Sequence, residues 1–118
     1  METIHDWVYL LAQEDRPIIV EGKKDKKALE SFDVKNIYTL DKPLYEIIEF
    51  ISDKFDAVII LTDLDKEGKE LYGKLASEFG KRGVFVENKY RIFLLKETEL
   101  TQIEGLTTYI TKSASRKE

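Results

Sequence analysis

The chain has 118 residues, 42% of them apolar and 36% charged, which fits one globular domain burying roughly two-thirds of the surface its unfolded form exposes. Its net charge of −4 argues against nucleic-acid binding by bulk electrostatics, so any such binding needs a local basic patch, a bound metal or a partner. The lack of cysteine excludes disulfides, thiolate metal sites and cysteine nucleophiles, and the single histidine, His5, argues against histidine-based zinc chemistry and Ser-His-Asp catalysis.

Residues 3–14 read as a helix, with Ile4, Trp7, Val8, Leu10 and Leu11 at helical spacing and His5 on the first turn. Pro17 blocks its continuation, and residues 18–21 form a first strand. A second helix over 24–32 packs through Ala28, Leu29 and Phe32, and a short strand follows over 36–40. Pro43 suits the first turn of a helix reaching Lys54, with Leu44, Ile47, Ile48 and Ile51 facing inward. Residues 57–62 are almost entirely apolar, as a strand covered on both faces requires. Residues 66–79 read as a helix ended by Gly80 or Gly83, and Val84-Phe85-Val86 as a fourth strand. Residues 91–95 are assigned a fifth strand, and 99–111 a closing helix weakened by Gly105.

No repeat, linker or low-complexity segment interrupts this series. The expectation is one domain over 1–118, made of an N-terminal helix at 3–14, a core at 17–111 and a frayed tail at 112–118. Strands alternating with helices imply right-handed crossovers and a three-layer α/β fold, Rossmann-like, around a mainly parallel sheet of four to five strands. No apolar run matches a bilayer span, and the acidic N-terminus has no signal-peptide pattern. A cytoplasmic protein without membrane contact is expected.

Two acidic clusters each follow a β-branched apolar run: Glu21 after Ile18-Ile19-Val20, and Asp63 and Asp65 after Val58-Ile59-Ile60-Leu61. If the two runs are neighbouring parallel strands, the three carboxylates converge at the carboxyl edge of the sheet, where open α/β sheets place ligands. Carboxylates gathered there repel one another unless a hard cation lies between them, which points to Mg²⁺, with Mn²⁺ as a substitute. Asp63 and Asp65 share a face of an extended segment, and Glu67 is next in the series. Aspartates at strand-to-helix turns also cap helices, and that reading competes for either residue alone. Glu21 is placed to move a proton. Lys23 and Lys24, just beyond it, are placed to meet a phosphate, while Lys26 and Lys27 fit a solvated helix start. Arg82, Lys89, Arg91 and Lys96 extend a basic track for nucleic acid or are ordinary surface charge.

Val20-Glu21-Gly22-Lys23 and Thr62-Asp63-Leu64-Asp65-Lys66-Glu67-Gly68 resemble the two signature motifs of the TOPRIM superfamily. This is the domain shared by type IA and type II topoisomerases, bacterial primases, some nucleases and recombination proteins. The second motif is most like type IA topoisomerases, and Val20 through Asp25 is more like the ribonuclease branch that matures small ribosomal RNA. The length is similar to that of small stand-alone toprim proteins. The resemblance implies Glu21 as general acid or base; Lys23, two residues along in sequence, is the lysine most expected to act at the site. The resemblance further implies Asp63 and Asp65 as Mg²⁺ ligands and Glu67 as an auxiliary ligand. The segment 38–43 lacks the glycine often found near the second strand end, and no further domain carries a topoisomerase tyrosine or a primase zinc. Residues 99–106 are also similar to the closing motif of small toprim proteins, with Glu104 near the site or on a plain helix face.

The leading expectation is therefore a Mg²⁺-dependent nuclease acting on RNA or DNA. The alternative within the family is a non-catalytic metal-binding module for nucleic acid or a protein partner, with a homodimer among the options. A receiver-type phosphoacceptor domain, with Asp63 phosphorylated and Lys96 as its lysine, is the reading from another class. It is weakened by Glu21-Gly22 and Glu87-Asn88 where an acidic pair and a Ser or Thr belong.

Overall fold

The structure, a computed structural model, describes residues 1–116. Its elements are α1 (Ile4–Ala12), β1 (Ile18–Val20), α2 (Lys23–Glu30), β2 (Ile37–Thr39), α3 (Leu44–Lys54), β3 (Ala57–Ile60), α4 (Lys66–Lys81), β4 (Phe85–Glu87) and α5 (Lys89–Glu97). A 3-10 turn (Ile103–Gly105) then leads into α6 (Leu106–Arg116). The strands lie in the order β2-β1-β3-β4, and every pair is parallel. This is the α/β architecture expected.

The apolar runs that read as strands are buried on both faces, and their side chains alternate between two cores. Ile18, Val20, Ile59 and Leu61 face a layer formed by α1, α2, α5 and the start of α6. Ile19, Val58 and Ile60 face α3 and α4. Trp7 of α1 is fully buried. Its indole N–H donates to the Tyr90 carbonyl at 2.9 Å, and its ring meets that of Tyr90 edge-on, 6.1 Å between centroids. The first helix is thus pinned to α5. Thr3 and Asp6 form a capping box that starts α1. After α4 the chain reverses through Gly83, whose φ of +74° is the left-handed backbone that glycine tolerates.

Two expectations are corrected. Residues 91–95 are not a strand but lie inside α5, so the sheet among the described residues has four strands. Tyr90, Phe93 and Leu94 are buried at helical spacing. However, Ile92 and Leu95 on the outer side are also apolar, 39% and 43% exposed, and a segment apolar all round hides its period. The closing segment is likewise split: a 3-10 turn precedes α6, and α6 runs on to Arg116, past the expected end at Thr111. The tail beyond Arg116 lies outside the described residues. Among the described residues, no helix is long and apolar enough to cross a membrane.

Candidate metal and phosphate site

β1 and β3 are adjacent and parallel. The Leu61 N–H donates to the Ile19 carbonyl at 2.7 Å, one step past the end of the paired register. The chain then leaves β1 for α2 and β3 for α4, so Glu21 and the segment 63–65 emerge side by side at the carboxyl edge. Glu21 Oε2 accepts from the Asp63 backbone N–H at 2.8 Å. Asp63 Oδ1 accepts from the Ile103 N–H at 2.9 Å. Asp65 Oδ1 accepts from the Gly68 N–H at 2.8 Å and caps α4. Glu21 and Asp63 are thus each aimed by an amide from a distant stretch of chain, and Asp65 by one in its own helix turn. Asp65 is the helix cap that the competing reading expected, and its second oxygen has no protein partner among the described residues.

Beneath this edge lies Arg91, which is only 4% exposed. Its guanidinium donates to the carbonyls of Thr62 at 2.6 Å and Asp63 at 2.9 Å, and reaches the Gly68 carbonyl at 3.4 Å. It also donates to Thr62 Oγ1 at 3.1 Å, while that hydroxyl donates to the Gly68 carbonyl at 2.7 Å. The guanidinium carbon stands 4.7 Å from the centre of the Tyr72 ring. The turn that carries Asp63 and Asp65 is thereby tied to the first turn of α4 by one planar cation. Gly68 permits the closeness: a Cβ there would lie 2.8 Å from the Asp63 Cα and closer still to its carbonyl.

Glu21, Asp63, Lys23, Lys24, Asp25, Gln102 and Glu104 surround a shallow cleft of about 460 Å³. Asp25, buried at the start of α2, accepts from the Gly22 N–H at 3.0 Å. Burial, and then the neighbouring carboxylates, push the carboxyls of Glu21, Asp25 and Asp63 above their ordinary range. Such a group favours the folded state while protonated. Its stabilisation is present below the unfolded pKa and is lost as pH rises through the folded one. Metal-free protein therefore carries self-repulsion at neutral pH. Asp63→Asn keeps an oxygen for the Ile103 N–H and removes the charge. It is expected to melt higher than wild type at neutral pH in the presence of a chelator, with the gap closing as pH falls below the carboxylate range. The comparison isolates Asp63 from Glu14, whose carboxyl is held low by Arg16 and acts with the opposite sign. Thermal melts across pH check this, and a variant less stable at neutral pH contradicts it.

The remaining expected residues scatter. Lys23 and Lys24 are exposed at the cleft. Glu67 is exposed on the first turn of α4, and its charge acts on Glu21. Arg82 caps the far end of α4, bonded to Glu78, about 24 Å of helix away from Asp65. Lys89 lies over the Tyr90 ring, beside Glu14 rather than at the cleft. Arg91 is interior. The structure thus does not join Arg82, Lys89 and Arg91 into one basic track. Glu104 does approach the site, and Gly105 also makes its contact, since a Cβ there would meet Leu100 at 3.2 Å. Sequence reasoning missed the structural roles of Arg91 and Asp25 and the Ile103 amide; a lone arginine among Tyr90, Phe93 and Leu94 was the available signal for the first.

The donor set consists of carboxylate oxygens, the chemistry of a hard dication. Glu21, Asp63 and Asp65 each have one oxygen held by an amide and a second with no protein partner among the described residues. As placed, no three acidic groups among the described residues stand close enough to enclose an ion, and holding one would require these side chains to rotate about their anchors. The residues fit the ion by chemistry and by anchoring.

A four-stranded parallel sheet with Glu21 and the Asp63–Asp65 turn at one edge is the arrangement of a Toprim domain. The Toprim domain model matches residues 16–96, and the chain belongs to that family. Among its relatives is the UPF0292 protein MJ1624 of Methanocaldococcus jannaschii, 36% identical over 104 residues, covering 84% of this chain and 81% of the relative. The UPF0292 protein PH1700 of Pyrococcus horikoshii is 37% identical over 93 residues, covering 75% and 70%. A solved structure of a protein from Aquifex aeolicus superposes with a TM-score of 0.82 at 33% identity, covering 88% of this chain and 98% of that one.

Proposed function

We propose that this protein is a Mg²⁺-dependent nuclease acting on RNA or DNA, with Mn²⁺ as a substitute ion. The observation that supports this reading best is the Glu21 carboxylate bonded to the Asp63 amide, 2.8 Å apart, with Asp65 one residue beyond Leu64. A bound dication supplies neutralisation of the nonbridging phosphate oxygens. Asp63 and Asp65 would hold it through their unbonded oxygens, with Glu67 as an auxiliary ligand.

Glu21 exchanges a proton with the attacking or leaving oxygen. Its carboxyl already sits above the ordinary range, which brings its proton affinity nearer to that needed at neutral pH. Lys23 and Lys24 meet the phosphate at the mouth of the cleft, and Lys23 adjoins Glu21 in sequence. The proposed setting is the cytoplasm.

The test is incubation of purified protein with Mg²⁺ or Mn²⁺ and a panel of structured RNA, single-stranded DNA and duplex DNA. Glu21→Gln is expected to reduce cleavage by about 10²–10⁴-fold while binding persists. The second reading is a non-catalytic binding module. It is favoured by the shallowness of the cleft and by the small number of cations around it, Lys23 and Lys24. Binding without cleavage, unchanged in Glu21→Gln, would decide for it.

A further inference from the structure

Between α5 and α6 the chain lies against the carboxyl edge of the sheet as a strap, residues 98–105. The Thr98 hydroxyl donates to the Leu94 carbonyl at 2.7 Å and fixes its start. Further along, the Thr101 carbonyl accepts from the Leu64 N–H at 2.8 Å, and the Ile103 N–H donates to Asp63 Oδ1 at 2.9 Å. The strap is therefore bonded to both residues 63 and 64 of the turn that carries the aspartates.

Glu104 follows the bonded Ile103 amide directly. It is exposed and lines the cleft together with Glu21 and Asp63. It has no hydrogen-bond or ion-pair partner among the described residues. An unpaired surface glutamate is ordinarily just solvated. This one differs in its neighbours, because its charge falls on Asp63 and Asp25 and pushes both carboxyls up. The strap thus holds a carboxylate against like charges. The same position turns favourable once a dication stands in the cleft. Glu67, on the first turn of α4, does not line the cleft.

We infer that Glu104 is a further carboxylate of the proposed metal site, and that ion binding fastens the strap to the sheet edge. The inference rests on the reading of this site as one for a dication. Linkage makes the coupling reciprocal: whatever factor closure of the strap adds to ion affinity, the ion adds to closure. Metal-free protein opens more readily at the strap, and Asp63 loses its aim when it does.

Calorimetric titration of the chelator-treated full chain with Mg²⁺ and with Mn²⁺ tests this, alongside amide exchange followed by NMR. Glu104→Gln is expected to weaken ion binding by at least about fivefold, the low end for coupled events, with circular dichroism unchanged because the side chain is exposed. Glu99→Gln removes an equal charge from the same strap, away from the cleft. It should leave the affinity within about twofold, since salt screens a distant exposed charge. In wild type, bound Mg²⁺ should slow exchange of the Leu64 and Ile103 amides by at least about fivefold. In Glu104→Gln, compared at equal occupancy, most of that slowing should be lost. A wild type that binds neither ion sinks the metal site and this inference with it. Ion binding unchanged in Glu104→Gln, an equal loss in Glu99→Gln, or slowing preserved in Glu104→Gln overturns the inference alone and leaves the site standing.

Discussion

Replacing Arg91 with methionine is expected to lower stability by about 3–5 kcal/mol, the range for removing one partner of a buried charged network. Methionine keeps much of the length and removes the charge. The carbonyls of Thr62, Asp63 and Gly68 and the Thr62 hydroxyl then lose their common donor. Buried acceptors left without partners cost about 1–3 kcal/mol each, although a turn at the surface recovers part of this from water. The nearby carboxylates also lose the one buried cation among the described residues, since Arg91 draws Asp63 down against the push of burial. Arg91→Lys keeps a charge without the planar fork and should fall between. Denaturant titration followed by Trp7 fluorescence is well matched to this question. Trp7 is the single tryptophan, is fully buried, and is bonded to the residue before Arg91. A methionine variant within about 1 kcal/mol of wild type, less than one orphaned acceptor costs, would remove the structural role assigned to Arg91.

Gly68→Ala should be the next most damaging substitution, with a sign opposite to that of an ordinary helical glycine. Within a helix, alanine is favoured over glycine by about 0.8–1.0 kcal/mol. At Gly68 a Cβ would press into the backbone of Asp63, and backbone yields far less readily than the end of a side chain. A net loss of about 1–3 kcal/mol is expected. The atoms struck are the carbonyl and Cα of Asp63, the residue whose own amide bonds Glu21, so under the proposed nuclease reading cleavage should fall further than stability. Gly73, on the same helix, has nothing within 4 Å of its would-be Cβ. Gly73→Ala should accordingly raise the melting temperature, so parallel melts of the two variants separate helix propensity from collision.

Most of this architecture was readable from local chemistry. The runs at 18–20 and 57–60 are β-branched and uninterrupted, which only a doubly covered strand explains, and Pro17, Pro43 and Gly83 punctuate the chain where it turns. Glu21 and Asp63 were legible as neighbours because parallel pairing of those runs leaves their carboxyl ends little choice. Helix α5 was not legible, since Ile92 and Leu95 blur its period. The support beneath the site was hidden for another reason. Arg91 meets Thr62 twenty-nine residues away, and Ile103 meets Asp63 forty residues away. Nothing local in either segment records those partners. The basic track failed on geometry: Arg82 and Lys89 have the right charge, but the helices that carry them lead elsewhere.

The hydrogen bond from Ile103 to Asp63 has a bearing on where this unit of function ends. The family match stops at residue 96, yet Asp63 takes its orientation from an amide seven residues further on. The Thr101 carbonyl, also past that limit, accepts from the Leu64 N–H at 2.8 Å. Ile103 and Leu106 seal the joint as fully buried residues. The matched core therefore supplies the acids and the amides that aim Glu21 and Asp65, whereas the alignment of Asp63 comes from the segment that follows it, acting as a clasp. A graft of residues 16–96 into another protein would carry every signature carboxylate and still leave Asp63 unfastened.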